Sequence, residues 1–371
     1  MESHKEITKM DYIVRQYLPG DEEEIVKVLK IVFPGWGDLE FWKWLYQDNP
    51  LKIKAIAIAV AVIDKEIVGV SLSIPLKMKI LDKIVYSLYG TDSGVYQEYR
   101  GKGIFTKMDE LKTDFNKKNN INFRYHHTSN PIILKYNIEK YGKTLWYIPV
   151  THYIRIQNIN EHIKKMKTKN ALIKKIGYKI IKMLNKIWIF NRNINRHNNK
   201  IYLYEINNFD NNINVFWESI SENYNFIVVR TKDYLNWRYC DPRSGKYIIK
   251  KATDKEGKIL GYVVLSILKS QQEDYPIGCI FDLLALQNRL DVIEALVSDA
   301  IYYFSSKNIN VIEFFFIKRH PYVKVLKRYG FIDTGKQGHH FVLNLDLEDE
   351  IKKIKLSSSD KIYFSHGDIA Y

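Results

Sequence analysis

Val95-Tyr96-Gln97-Glu98-Tyr99-Arg100-Gly101-Lys102-Gly103-Ile104-Phe105 is the stretch on which the reading of this 371-residue chain turns. A strand pattern over about Lys83–Tyr96 runs into it, and an amphipathic helical pattern over Gly103–Lys118 leaves it. Glycines at 101 and 103 let the backbone turn without a Cβ clash and come close to a ligand. The helix that follows points unpaired N–H groups and its positive dipole end at whatever anion sits there. Strand, tight loop and helix in that order make a cradle for a pyrophosphate; a tight turn before a surface helix is the plainer alternative.

Working outward, Tyr12–Tyr17 reads as a strand, Asp21–Phe33 as a helix begun by acids, and Asp38–Tyr46 as a second helix. Ala55–Ile63 and Ile67–Ile74 are β-branched runs around Asp64-Lys65-Glu66, a hairpin pattern. A strand at Ile121–His126, a helix at Pro131–Tyr141 and two strands over about Leu145–Ile156 complete the first half. The pattern then returns. Trp44, Tyr46 and Asp48 recur 193 residues on as Trp237, Tyr239 and Asp241, and Asn130-Pro131 recurs 190 residues on as His320-Pro321. Around these landmarks the second half repeats strands at Tyr247–Thr253, Ile259–Leu268 and Gly278–Leu286, a helix at Asp291–Ser306, a strand at Val311–Ile317, a helix at Pro321–Tyr329 and a strand near Phe341–Leu345. A tandem duplication of one α/β unit, each copy a mixed sheet with helices on its faces, is the expectation. The boundaries read as 1–157 for the first domain, 158–200 for a linker and 201–371 for the second domain.

Composition sets outer limits. Hydrophobic residues at 46% and charged residues at 27% describe a folding chain, and two cysteines with no CxxC or Cys/His cluster argue against a disulfide framework or a zinc site. The longest apolar run, Ala55–Ile63, is half the length a spanning helix needs, so a cytoplasmic protein is expected. The formal charge of +15 is concentrated: residues 161–200 hold ten lysines and two arginines against Glu161, a net +11. Within 161–190, Leu172, Ile173, Ile176, Ile180, Met183, Leu184 and Ile187 recur at helical spacing with lysines on the other faces. A linker helix packed between domains is the first reading. Attachment to an anionic membrane, at the inner face and with Trp188 as anchor, is the second, and nucleic acid comes third, because no aromatic stacking platform accompanies the charge.

At the Val95–Phe105 loop the chain resembles the GNAT superfamily of CoA-dependent N-acyltransferases. The family's signature is Val, four residues, then Gln/Arg-x-x-Gly-x-Gly/Ala, onto which Val95, Arg100 and Gly103 fall, with Phe105 in place of the final small residue. Ser129-Asn130-Pro131 through Gly142 is similar to the strand–Asn–helix–Gly element that completes the family's CoA cleft. The resemblance implies two tandem GNAT-type domains with acetyl-CoA as acyl donor and no metal. It also implies that main-chain groups of Gly94, Val95 and Tyr96 pair with the pantetheine arm, that the amides of Arg100, Gly101, Lys102, Gly103, Ile104 and Phe105 bind pyrophosphate, and that Asn130 belongs to the same cleft. In the second copy the corresponding stretch, Asp282–Asp291, has no glycine, so a degenerate copy is expected there.

Acyl transfer to an amine needs a base for the amine and an acid for the departing thiolate. Many GNAT enzymes use a tyrosine four residues before the helix-ending glycine, but counting back from Gly142 and Gly330 gives Ile138 and Leu326. Tyr136 is the nearest candidate acid, against a packing role. Asp92, a carboxylate on a strand expected to be buried, is a candidate base, against a structural cap at Thr91-Asp92-Ser93-Gly94. His126 and His127 end the next strand on opposite sides, and His127 is taken as the one at the cleft, against a structural histidine. The C-terminal Tyr363-Phe364-Ser365-His366-Gly367-Asp368 resembles a closing segment of tandem GNAT proteins; it reads as a final edge strand and tail, or as a flap bringing His366 and Asp368 to the acceptor. The expected activity is transfer of an acetyl group from acetyl-CoA to a primary amine of a small molecule, such as an amino sugar or cell-surface precursor. An aminoacyl-tRNA-dependent peptidyltransferase and a non-catalytic acyl-CoA-binding module are the alternatives.

Overall fold

The computed structural model describes residues 12–51, 59–121, 123–128, 130–142, 145–157, 200–269, 275–337, 340–344 and 348–368. The basic stretch 161–190 lies outside them. The chain divides into two compact units, one of residues up to Leu76 with Tyr86–Tyr125, the other of Lys77–Val85 with residues from His126 on.

The first unit holds β1 (Ile13–Gln16), α1 (Glu22–Val32), α2 (Leu39–Trp42) extended by a wide π turn at Lys43–Gln47, β2 (Ala59–Ile63), β3 (Glu66–Ile80) as far as Leu76, β4 (Lys83–Val95) from Tyr86, α3 (Ile104–Lys118) and β5 (Phe123–His127) as far as Tyr125, and these strands lie side by side in that order. Glu22, Glu23 and Glu24 sit at the positive end of α1, and Ile25, Val26, Val28 and Leu29 form its buried stripe. Asp38 caps α2 by accepting from Phe41 N, and the repeat residues Trp44 and Tyr46 are buried behind it. Ten consecutive residues of β3, Ile67–Leu76, are buried, the mark of a strand covered on both faces. Ile104 and Met108 of α3 pack on Ala61, Val68 and Val95, which fixes the start of α3 against the end of β4.

One buried polar group under α3 has a measurable consequence. Lys112 Nζ donates to Ser71 Oγ and to Leu72 O, both at 3.1 Å, and burial, with Arg124 adding repulsion, drives its pKa down to about 7 from 10.5. Between those two values the unfolded chain binds a proton that the folded chain does not, so this group makes stability rise with pH from about 7 to 10.5 and withdraws that contribution as pH falls towards 7. Urea midpoints of wild type and Lys112→Met across that window should diverge, the wild type gaining on the order of 1 kcal/mol per pH unit relative to the variant. Parallel curves would show that Lys112 is charged in the fold.

The second unit contains α4 (Pro131–Tyr141), β6 (Leu145–Tyr147), β7 (Val150–Ile156), β8 (Tyr202–Ile206), α5 (Asn212–Ser221), β9 (Phe226–Val228), α6 (Lys232–Tyr239), β10 (Ile248–Thr253), β11 (Ile259–Lys269), β12 (Pro276–Ala285), α7 (Leu290–Ser306), β13 (Val311–Ile317), α8 (Tyr322–Arg328), β14 (Ile332–Gln337), β15 (His340–Asn344) and α9 (Glu348–Leu356). Its main sheet has the order β14-β7-β13-β12-β11-β10-β8. The succession β10-β11-β12-α7-β13-α8 repeats β2-β3-β4-α3-β5-α4, so the duplication expected from the sequence is present as two mixed sheets.

Two placements differ from the sequence reading. Val150–Ile156, expected to close the first domain at 157, pairs along its whole length with β13 and also with β14. It is buried on both sides and so suits the middle of a sheet, and Pro149 breaks it from β6, which pairs with β15. The tail does not form an edge strand. β12 and β13 pair in parallel only from Ile277–Cys279 against Val311–Glu313, and β12 bulges at Phe281, so the two strands diverge beyond that point. Residues 362–368 fill the wedge, with Ser365 bridged to Phe316 and the Tyr363 hydroxyl donating to Leu283 O at 2.8 Å.

Candidate active site

Arg100–Gly103 links a short 3₁₀ turn at Gln97–Tyr99 to α3, and both glycines have φ of +77°, a left-handed conformation that favours glycine. Around Gly101 nothing lies within 4 Å of where a Cβ would be. Gly103 is the N-cap of α3, and the first intrahelical bond runs from Lys107 N to Gly103 O, so the amides of Ile104, Phe105 and Thr106 precede the helical ladder. No acidic residue occupies the first turn to cancel the positive end of the dipole. The loop is pinned from both sides: the Tyr12 hydroxyl donates to Lys102 O at 3.0 Å, and Arg100 Nε donates to Val95 O at 3.0 Å. Phe105 is half-buried, Gly101, Lys102 and Gly103 are exposed, and Lys102 and Lys107 lie over the rings of Tyr99 and Tyr12. The bend therefore offers main-chain donors, a cationic surround and open space, which fits a diphosphate.

The strand leading into the loop is partly spent. Tyr96 N donates to Val68 O at 3.0 Å and Val95 O is taken by Arg100, so these two main-chain groups, expected to meet a pantetheine arm, are engaged within the chain. Gly94 is glycine for packing: a Cβ there would stand 2.5 Å from Val32 Cγ1 of α1. Asp92, half-buried on β4, accepts from the indole Nε1 of Trp36 at 3.0 Å.

His127, Asn130 and Tyr136 belong to the second unit, whereas Asp92 and the glycine loop belong to the first. His127 is exposed at the end of β5; its neighbour His126 shares a 2.8 Å hydrogen bond through Nε2 with Asn137 Nδ2. Asn130 caps α4, its Oδ1 accepting from Ile132 N at 2.9 Å, so its side chain acts first on the helix. The Tyr136 hydroxyl accepts from Lys140 Nζ at 2.8 Å, one helical turn on.

The second copy treats the same positions differently. Asp282 stands three residues before the end of β12, as Asp92 does before the end of β4, and is wholly buried. It accepts from Tyr262 and Tyr363 hydroxyls at 2.9 and 2.5 Å and lies 3.5 Å from Arg230 Nε, while Arg230 Nη2 donates to both oxygens of Asp368 at 2.7 and 2.8 Å. Asp368 is thus committed to Arg230, and His366 is packed against Phe281 and Phe315. Tyrosine hydroxyls also occupy the splayed edge of β12: Tyr363 bonds Leu283 N and O, and Tyr322 bonds Ala285 N and O. A carboxylate locked in an ion cluster and a strand edge filled by side chains agree with a degenerate copy.

Residues 14–137 match the model of the acetyltransferase (GNAT) domain family. Among solved structures, the chain is similar to a GCN5-related N-acetyltransferase from Anabaena variabilis (11% identity, 90% of this chain and 72% of that one covered, TM-score 0.58). It is also similar to a probable N-acyltransferase from Enterococcus faecalis (12% identity, 91% and 73% covered, TM-score 0.62). N-myristoyltransferase from Saccharomyces cerevisiae with bound myristoyl-CoA is similar over 90% of this chain and 79% of that one, at 13% identity and a TM-score of 0.57. No curated protein sequence matches the chain. The match thus places a GNAT domain over residues 14–137, and the chain over nine-tenths of its length shares the mixed α/β fold of these structures.

Sequence reasoning missed Tyr12, Val32 and Trp36, which hold the loop, the glycine and the carboxylate. Each acts from 56 or more residues away in the chain, and the local signal, an isolated aromatic or an apolar helix position, does not name its partner.

Proposed function

We propose that this chain is an N-acyltransferase that moves an acetyl group from acetyl-CoA to the primary amine of a small molecule, an amino sugar or cell-surface precursor being the class to test first. The observation that carries this reading is the Gly101–Gly103 bend, with nothing within 4 Å of a Cβ at Gly101 and only the Tyr12 hydroxyl at Gly103, directly joined to the uncancelled positive end of α3. The amides from Gly101 to Phe105 would hold the donor's diphosphate, and the donor supplies an activated thioester carbonyl.

The chain's own residues would handle the protons. Asp92, oriented by the Trp36 indole, takes a proton from the attacking nitrogen. Tyr136, whose hydroxyl accepts from Lys140 Nζ, is the candidate acid for the departing thiolate, with that cation beside the phenolate that would result. His127, exposed on β5, is the second candidate base.

The test measures free thiol released from acetyl-CoA in the presence of a panel of primary amines that includes glucosamine. Asp92→Asn should lower kcat by about 10²- to 10⁴-fold while leaving acetyl-CoA affinity within about twofold. Tyr136→Phe and His127→Ala run in parallel. Undiminished turnover in Asp92→Asn would remove the carboxylate from the mechanism, and no thiol release with any amine would remove the activity.

A further inference from the structure

Three side chains of the first unit form a hydrogen-bonded row that ends on a buried amine. Ser93 Oγ of β4 and Ser71 Oγ of β3 are 2.9 Å apart, and Ser71 Oγ is 3.1 Å from Lys112 Nζ of α3. Thr91 O, the other neighbour of the Ser93 hydroxyl, is further off at 3.5 Å. Ser71 and Lys112 are buried, whereas Ser93 is half-buried. So are Gly90, Thr91, Asp92 and Gly94 around it, between the buried Tyr89 and Val95. Side chains alternate between the two faces of a strand, so five such residues in a row are open along the strand itself and not on one face.

A serine hydroxyl is a weak nucleophile until a base stands within hydrogen-bond reach and is itself held in place by a third group. Here Ser71 links the hydroxyl to an amine that has the character of a base. Both hydrogen-bond partners of Lys112, Ser71 Oγ and Leu72 O, are uncharged, and the carboxylate one turn back on α3, Asp109, is held by Arg124 Nη1 of β5 at 2.8 Å. Burial, helped by Arg124 and opposed by Asp109, brings the amine's pKa down to about 7. In its neutral form it can keep one N–H on Leu72 O and turn its lone pair to Ser71.

We infer that Ser93 is an acyl-accepting nucleophile whose proton is drawn through Ser71 to Lys112, and that the chain forms an acyl-serine from small activated esters and thioesters and hydrolyses it. Ser93 Oγ adds to the carbonyl carbon as its proton passes to Ser71 Oγ and the proton of Ser71 passes to Lys112 Nζ, which becomes an ammonium. The bond from carbon to the leaving oxygen or sulfur then breaks, and the ammonium returns the proton along the same row to the leaving group. Water adds to acyl-Ser93 by the same route and frees the carboxylic acid. This does not rest on the proposed amine transfer, because a small ester needs neither the Gly101–Gly103 cradle nor an amine.

The experiment gives the full chain p-nitrophenyl acetate, follows nitrophenolate release against pH, and maps acetyl groups by mass spectrometry after an acid quench. The wild type should carry acetyl on Ser93 and release nitrophenolate at a rate that climbs with pH through about 7. Ser93→Ala should lose that acetyl group and about tenfold or more in rate. Ser71→Ala, which breaks the row by removing one oxygen, should lose a similar factor together with the inflection near pH 7, an effect that a merely structural serine does not produce. Ser73→Ala, on the same face of β3 and with no partner for its hydroxyl among the described residues, should match the wild type. Acetyl on surface lysines with none on Ser93, an unchanged rate in Ser93→Ala, an inflection that persists in Ser71→Ala, or equal losses in Ser73→Ala and Ser71→Ala would overturn the assignment.

Discussion

Acetyl-CoA should bind the wild-type chain and bind Gly103→Trp at least a hundredfold more weakly, with melting temperatures about 5 °C apart or less. Both parts follow from the bend. Gly103 sits at φ +77°, where an L-residue costs roughly 1–2 kcal/mol of conformational energy, a modest share of a domain's stability. Only the Tyr12 hydroxyl, at 3.6 Å, lies within 4 Å of a Cβ there, so the fold can accept the substitution. The indole, however, projects from the N-cap over the amides of Ile104 and Phe105, the donors assigned to the diphosphate. Gly103→Ala separates the two contributions: it carries the same backbone strain with little bulk and should lose far less affinity. Calorimetric titration of the three proteins decides the matter. Equal binding by Gly103→Trp would place the donor elsewhere, and a wild type that binds no acetyl-CoA would leave the domain with the fold and without the donor.

Arg230→Met should be the most damaging single change in the second unit, at about 3–5 kcal/mol of stability. Arg230 is the cation between two buried carboxylates, and burial pushes the pKa of Asp368 up even with the guanidinium in place. Methionine fills similar space and leaves both acids uncompensated. Adding Asp282→Asn and Asp368→Asn to the same chain should recover more than half of the loss, which denaturant unfolding can read directly. A loss under about 1 kcal/mol for Arg230→Met alone would mean that the acids take up protons and the cluster is not ionic.

Much of this molecule was legible in the chain itself, for physical reasons. The glycine loop stood out because left-handed backbone at the N-terminus of a helix demands particular residues, and the structure has that backbone at 101 and 103. The duplication was visible because Trp44 and Trp237, with Tyr46 and Tyr239, fill buried positions that tolerate few replacements. What escaped was pairing at long range. The alternation of Val150–Ile156 says that a strand is there, and nothing in it names β13 and β14 as its neighbours. Arg230 reads as one more basic residue until the fold brings Asp282 and Asp368 to it from 52 and 138 residues away. Asn130 caps α4, a task that its short polar side chain suits as well as a place in a cleft, and the sequence alone does not separate the two.

The position of Val150–Ile156 bears on how this chain can be cut. Seven residues encoded ahead of the basic stretch complete a sheet encoded after it, every one of them matched to β13. A fragment starting at residue 201 would be born with an open seam between β13 and β14, an adhesive edge that invites clumping. The later half therefore does not complete its sheet by itself, and any attempt to express it alone should carry residues 150–156 with it.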